Sequence, residues 1–178
     1  MLNSLLSLRA ILNPFVQICL LRQGPQDLPT SGILLGIALA AHTLMSILLS
    51  NISLSVASAF LAGLLDTVML VVLAGTLLYV QRRGARILQT VTALAGTGAI
   101  ITFIALPISG WLHGADQSAG EGGFALLLLL ILTGWSLAVA AHIFRHALSI
   151  PYFFGLILAV VFYAISISVF RALFPVPA

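Results

Sequence analysis

The chain has 178 residues, of which 61% are hydrophobic and only 6% charged, with a formal net charge of +3. A soluble domain carries about 25% charged residues, so this composition excludes a water-facing globular surface and predicts a one-domain integral membrane protein. Seven arginines, no lysine, three aspartates and one glutamate are too few charges for a nucleic-acid-binding face. A single cysteine, Cys19, excludes an intrachain disulfide and a cysteine-based zinc site.

Residues 1–29 read "MLNSLLSLRAILNPFVQICLLRQGPQDLP". Their apolar runs are broken by Asn3, Arg9, Asn13-Pro14 and Gln17, so no piece is long enough to span a bilayer. No small-residue cleavage motif follows, so a cleavable signal peptide is not expected. Pro14 is expected to interrupt a helix. The segment is therefore read as two short interfacial helices, with Arg9 and Arg22 near lipid phosphates, closed by the turn "GPQDLP".

Five apolar segments make up the second region, residues 30–178. They run from about Ser31 to Leu49, Val56 to Val80, Ile87 to Ile108, Gly123 to His142 and Pro151 to Phe170. Each is long enough to cross a hydrocarbon core of about 30 Å as a helix. Backbone groups in lipid must pair within their own segment, and no alternating pattern suggests a barrel. The expected fold is an all-α bundle of five transmembrane helices preceded by short interfacial helices.

The loops alternate in charge. The N-terminal segment, the loop "QRRGAR" and the loop "HIFRHALSI" together hold six of the seven arginines. The loop "NISLS" has no charge, "HGADQSAGEGG" carries Asp116 and Glu121, and the tail carries Arg171. The positive-inside rule then places the N-terminus in the cytoplasm and the C-terminus outside, and seven arginines without a lysine point to a GC-rich bacterial genome and so to a bacterial inner membrane. Arg82, Arg83, Arg86 and Arg145 form a cytoplasmic basic face. Topology and attraction to anionic lipid explain it, and docking of an acidic partner is the sharper alternative.

Small residues recur at helical spacing: Gly32, Gly36 and Ala40, then Ala95 and Ala99, then Gly155 and Ala159. Such faces let helix backbones approach in lipid. Packing inside the monomer is the expected use, and a contact with a membrane partner or a second copy is the alternative. Hydroxyl residues within the spans, Thr67, Thr76, Thr92, Thr97, Thr102, Ser136, Ser166 and Ser168, are expected to bond their own helix backbone.

His142 and His146 stand four apart on one helix face, but no third ligand accompanies them. They are read as interfacial imidazoles, with no metal. His42 and His142 differ in depth by about 15 Å at the helical rise, which argues against a bis-histidine haem. No cofactor and no catalytic residues are expected, because no phosphate loop, HExxH motif, paired intramembrane carboxylates or nucleophile-and-base arrangement is present.

One acid does stand inside a span. "GLLDTVMLVVLAGTLLYV" places Asp66 among apolar side chains. His42 lies eight residues before Ser50, near the end of the first span, and Asp66 eight residues after Ser58, near the start of the second. Both therefore sit about 12 Å below the same boundary. The short loop between the spans makes them antiparallel neighbours. An isolated acid at that depth costs at least about 2.5 kcal/mol, so it is expected to face the bundle and pair with His42.

The stretch "NPFVQICLLRQGPQDLPTSGILLGIAL" resembles the Yip-domain family of five-span membrane proteins. Bacterial members open with an Asn-Pro-aromatic segment, here Asn13-Pro14-Phe15. The resemblance implies a cytoplasmic N-terminus and five bundled helices. It carries over no site residues and no activity. Two functions are expected from the sequence: a small non-enzymatic inner-membrane protein that organises or assists membrane partners, or a transport or proton-relay component using Asp66.

Overall fold

A computed structural model describes residues 2–115 and 122–174, with side chains from residue 11 onward in those ranges. The side chain of Arg9 and the loop acids Asp116 and Glu121 lie outside the described residues. Among the described residues six α-helices occur: α1 (Leu2–Cys19), α2 (Gly32–Ser50), α3 (Val56–Val80), α4 (Ile87–Gly114), α5 (Gly122–Leu148) and α6 (Tyr152–Leu173). The last five are long and apolar enough to cross a membrane. Short 3-10 turns, Pro25–Asp27 and Gly84–Arg86, precede α2 and α4.

The N-terminal segment differs from the sequence expectation. It is one helix running through Pro14, not two short helices. Proline removes one backbone donor, but the helix is held from its side. Phe15, Ile18 and Cys19 are buried against the bundle, and α1 packs on α4 and α5. Tertiary packing therefore outweighs a local helix-breaking preference. Pro107 is likewise accommodated inside α4, which extends to Gly114 rather than ending near Ile108.

Local chemistry sets the helix ends. The Ser31 and Ser55 hydroxyls accept hydrogen bonds from the backbone N–H groups of Leu34 and Ser58, each 3.3 Å long, and so cap α2 and α3. At the ends of α1, α3 and α5 the chain turns through left-handed residues, Leu21, Arg82 and Ser149, all at positive φ. The next N–H groups, of Arg22, Arg83 and Ile150, bond back to the carbonyls of Gln17, Leu78 and Arg145. This is the Schellman arrangement, made here without glycine. All three caps lie at the arginine-bearing end of the bundle.

Helix α4 is the centre. Every residue from Thr90 to Thr97 is buried, and the run "TVTALAGT" is small enough for neighbours on all sides. It packs against α2, α3 and α5, while α6 closes on α5 and touches α3. Two of the three small-residue stripes act inside this bundle. A Cβ at Gly155 would stand 2.5 Å from the Ala141 carbonyl oxygen of α5, and Ala95, Ala99 and Ala159 are buried. The first stripe does not: Gly32, Gly36 and Ala40 are exposed, and a Cβ on either glycine would meet open space. The expectation that it packs within the monomer is corrected accordingly.

Candidate functional site

The α2–α3 hairpin builds the site. Its helices approach most closely at Gly63, where a Cβ would stand 2.8 Å from the Ile47 backbone nitrogen. One turn further along, the Thr43 and Thr67 hydroxyls meet at 2.7 Å. Each also bonds its own helix, to Leu39 and Gly63. This fixes the register and brings His42 and Ser46, four residues apart on α2, onto Asp66 of α3.

His42 Nε2 lies 3.0 Å from Asp66 Oδ2. The Ser46 hydroxyl donates to the same oxygen at 2.6 Å. The imidazole is at ion-pair distance, and among the described residues neither of its ring nitrogens has a partner of full hydrogen-bond geometry. Gly98 of α4 leaves the space the ring occupies, since a Cβ there would come within 3.0 Å of Nδ1. His42 is buried, while the Asp66 side chain keeps 44% of its surface open.

That open surface faces a cavity of about 790 Å³ lined by residues of α2 to α6. His42 and Asp66 stand towards its inner end, with Leu70 and Leu94 lining it one turn beyond them. Thr102, Ser136, Tyr163 and Ser166 add hydroxyls along the walls, Met69, Phe162 and Phe170 supply apolar surface, and Arg171 and Phe174 stand at the far end of α6. Ser136 and Tyr163 share a hydrogen bond between α5 and α6. Towards the arginine-bearing end the way is closed by a packed core that includes Leu70, Ala74, Leu94 and Phe144.

Ser46, Ser136, Tyr163 and Arg171 were not marked by the sequence as site residues. Ser46 carried a usable signal, because it lies one helical turn from His42 and so shares its face. The wall hydroxyls carried none beyond their type. Thr92, Thr97, Ser166 and Ser168 bond their own helix backbones as expected. Thr67 does so too, whereas Ser136 bonds Tyr163 instead and no such bond is described for Thr76 or Thr102.

The four arginines of the basic face gather at one end but do different things. Arg82 and Arg83 lie in the α3–α4 turn, and Arg145 is exposed on the last turn of α5. Arg86 reaches across: its Nη1 donates to the carbonyls of His146 and Ala147, both at 2.9 Å, and to the Ser149 hydroxyl at 3.0 Å. It therefore closes the C-terminus of α5, where a cation suits the helix dipole.

The histidine pair at that end is also structural. His142 and His146 pack edge to face at 4.5 Å. His142 is buried rather than interfacial, and its Nε2 donates to the Gln23 carbonyl at 3.0 Å. Gln89 donates to the Leu28 carbonyl at 2.7 Å. Together they pin the turn after α1 onto α4 and α5. Among the described residues no group of three His, Cys, Asp or Glu side chains is placed to hold a metal ion.

Fold and site define a class: a multi-pass helical membrane protein with an acid–imidazole pair lining a cavity within the helix bundle. Comparison with protein-family models, with curated proteins and with solved structures gave no match.

Proposed function

We propose that this chain is a transport or proton-relay component whose working group is Asp66. One observation carries the reading. An acid kept only for packing would be enclosed by its partners, yet the Asp66 side chain is 44% open and looks into the cavity. Intramembrane acids mark proton and substrate paths by default. Here the same carboxylate oxygen meets a hydroxyl donor and an imidazole, the one side chain whose ordinary pKa lies near neutrality. Protonation of the pair changes the charge at the cavity floor, which is what a relay requires.

The chain acts in the bacterial inner membrane, with its arginine-bearing end in the cytoplasm. Arg82, Arg83 and Arg145 then face anionic headgroups, each attracted by about 1 kcal/mol near the surface. The cavity opens to the outer side.

Reconstitution in liposomes loaded with a pH-sensitive dye tests the reading. Under an imposed membrane potential the wild type carries protons, and Asp66→Asn, which keeps hydrogen bonding and removes the charge, does not. Equal flux through both folded proteins would leave Asp66 a structural residue.

A second reading, a non-enzymatic organiser of membrane partners like the Yip-domain family, is favoured by a different observation. Gly32, Gly36 and Ala40 present an open, small-residue face on α2, of the kind on which membrane helices associate. Co-purification in mild detergent distinguishes it, since substitutions on that face would release a partner and leave proton flux intact.

A further inference from the structure

We propose that the cavity binds an organic cation with an apolar body, seated with its charge against Asp66. The inference rests on Asp66 as the working group and names what exchanges with the proton there.

The size of the cavity is the first argument. At about 790 Å³ it falls in the range of pockets that enclose drug-sized molecules, far more than a proton path needs. The second is how polarity is distributed. Both contacts to Asp66 fall on Oδ2. Among the described residues Oδ1 accepts no hydrogen bond, so one carboxylate oxygen is left for a ligand. The walls carry apolar and polarisable surface, with Met69, Phe162 and Phe170 lining the cavity. Aromatic faces attract cations, more strongly when water is excluded.

The same gradient argues against other occupants. An acyl chain entering from the Arg171 end would lay its methyl terminus against a carboxylate. An anion would meet that carboxylate's charge at the floor. Among the described lining residues the one arginine is Arg171, eight residues and so about 12 Å along α6 from Tyr163. A cation is the ligand whose charge and body both match. It binds the deprotonated carboxylate, and a proton arriving at Asp66 removes its counter-charge, so cation and proton exclude one another.

Two ions of one shape and opposite charge provide the test. Radiolabelled tetraphenylphosphonium and tetraphenylborate are measured by equilibrium binding to the detergent-purified protein. Saturable binding of the phosphonium alone is expected, tightening as pH rises, weakened about ten-fold or more by Asp66→Asn. Ser166→Phe fills the cavity without touching the carboxylate and is expected to weaken binding likewise; it stands as the test if Asp66→Asn does not fold. Equal binding of both ions, or phosphonium binding indifferent to both substitutions, overturns the proposal. Loss of the cation result with Asp66-dependent proton flux retained defeats this inference alone. Cation binding without flux defeats the relay and leaves the binding site.

Discussion

Phe15 of α1 sets the Cδ1–Cε1 edge of its ring against the bare Cα of Gly96 in α4, in a space that any side chain at position 96 would fill. This contact anchors the N-terminal helix to the central helix of the bundle. Replacing Gly96 by valine is therefore expected to expel Phe15 and loosen α1, at a cost of about 1–3 kcal/mol. Cys19, buried four residues further along α1, reports the change. Its maleimide labelling should accelerate sharply in Gly96→Val, and an unchanged rate would mean that α1 is held by other contacts.

The same cysteine gives a pH prediction. Burial pushes the Cys19 thiol up from 9.0 to about 11, because the thiolate would lose its hydration. The fold thus favours the protonated thiol. The contribution of this group to stability is intact below pH 9 and is lost as the pH rises from about 9 to about 11. At pH 8 the thiolate fraction is about a hundred-fold smaller than for an ordinary thiol. Labelling of the folded protein should keep rising past pH 9, and a plateau there would contradict a buried Cys19.

Arg86 and its neighbours separate cap from charge. Arg86→Ala removes three hydrogen bonds at the end of α5 and is expected to destabilise by about 1–2 kcal/mol. Arg82→Ala and Arg83→Ala, which break no side-chain hydrogen bond among those described, should cost little. Unfolding in a denaturing detergent series measures all three, and equal effects would assign the loss to net charge.

Five spans were legible because length and hydropathy alone define them, and α3 follows its expected limits of Val56–Val80. The level of His42 with Asp66 followed from counting residues along two antiparallel helices, since helical rise and a short loop leave little freedom. What could not be read was tertiary. Nothing local shows that Phe15 finds a glycine 81 positions away, so Pro14 suggested a break where packing carries the helix through. Nor does arginine spacing reveal that Arg86 serves α5, 60 residues on. The cavity is a void among five helices. Its residues look in sequence like any membrane-helix hydroxyls and aromatics.

Orientation is open to a direct chemical check. On a Cys19→Ala background, single cysteines at Asn51 and Gly84, both exposed and at opposite ends of α3, should label from opposite sides of intact cells. Asn51 should react from outside and Gly84 only after permeabilisation. The reverse pattern would invert the bundle and turn the cavity mouth to the cytoplasm.

The protonation of Asp66 itself is the most direct measurement. Infrared difference spectra of the reconstituted protein, recorded while pH is lowered stepwise, should show a carboxylic C=O band that appears on acidification and is missing in Asp66→Asn. His42→Gln should move the pH at which it appears, since the imidazole 3.0 Å away is the nearest titratable neighbour. A band that never changes with pH, or one that persists unchanged in Asp66→Asn, would contradict a proton site at this carboxylate.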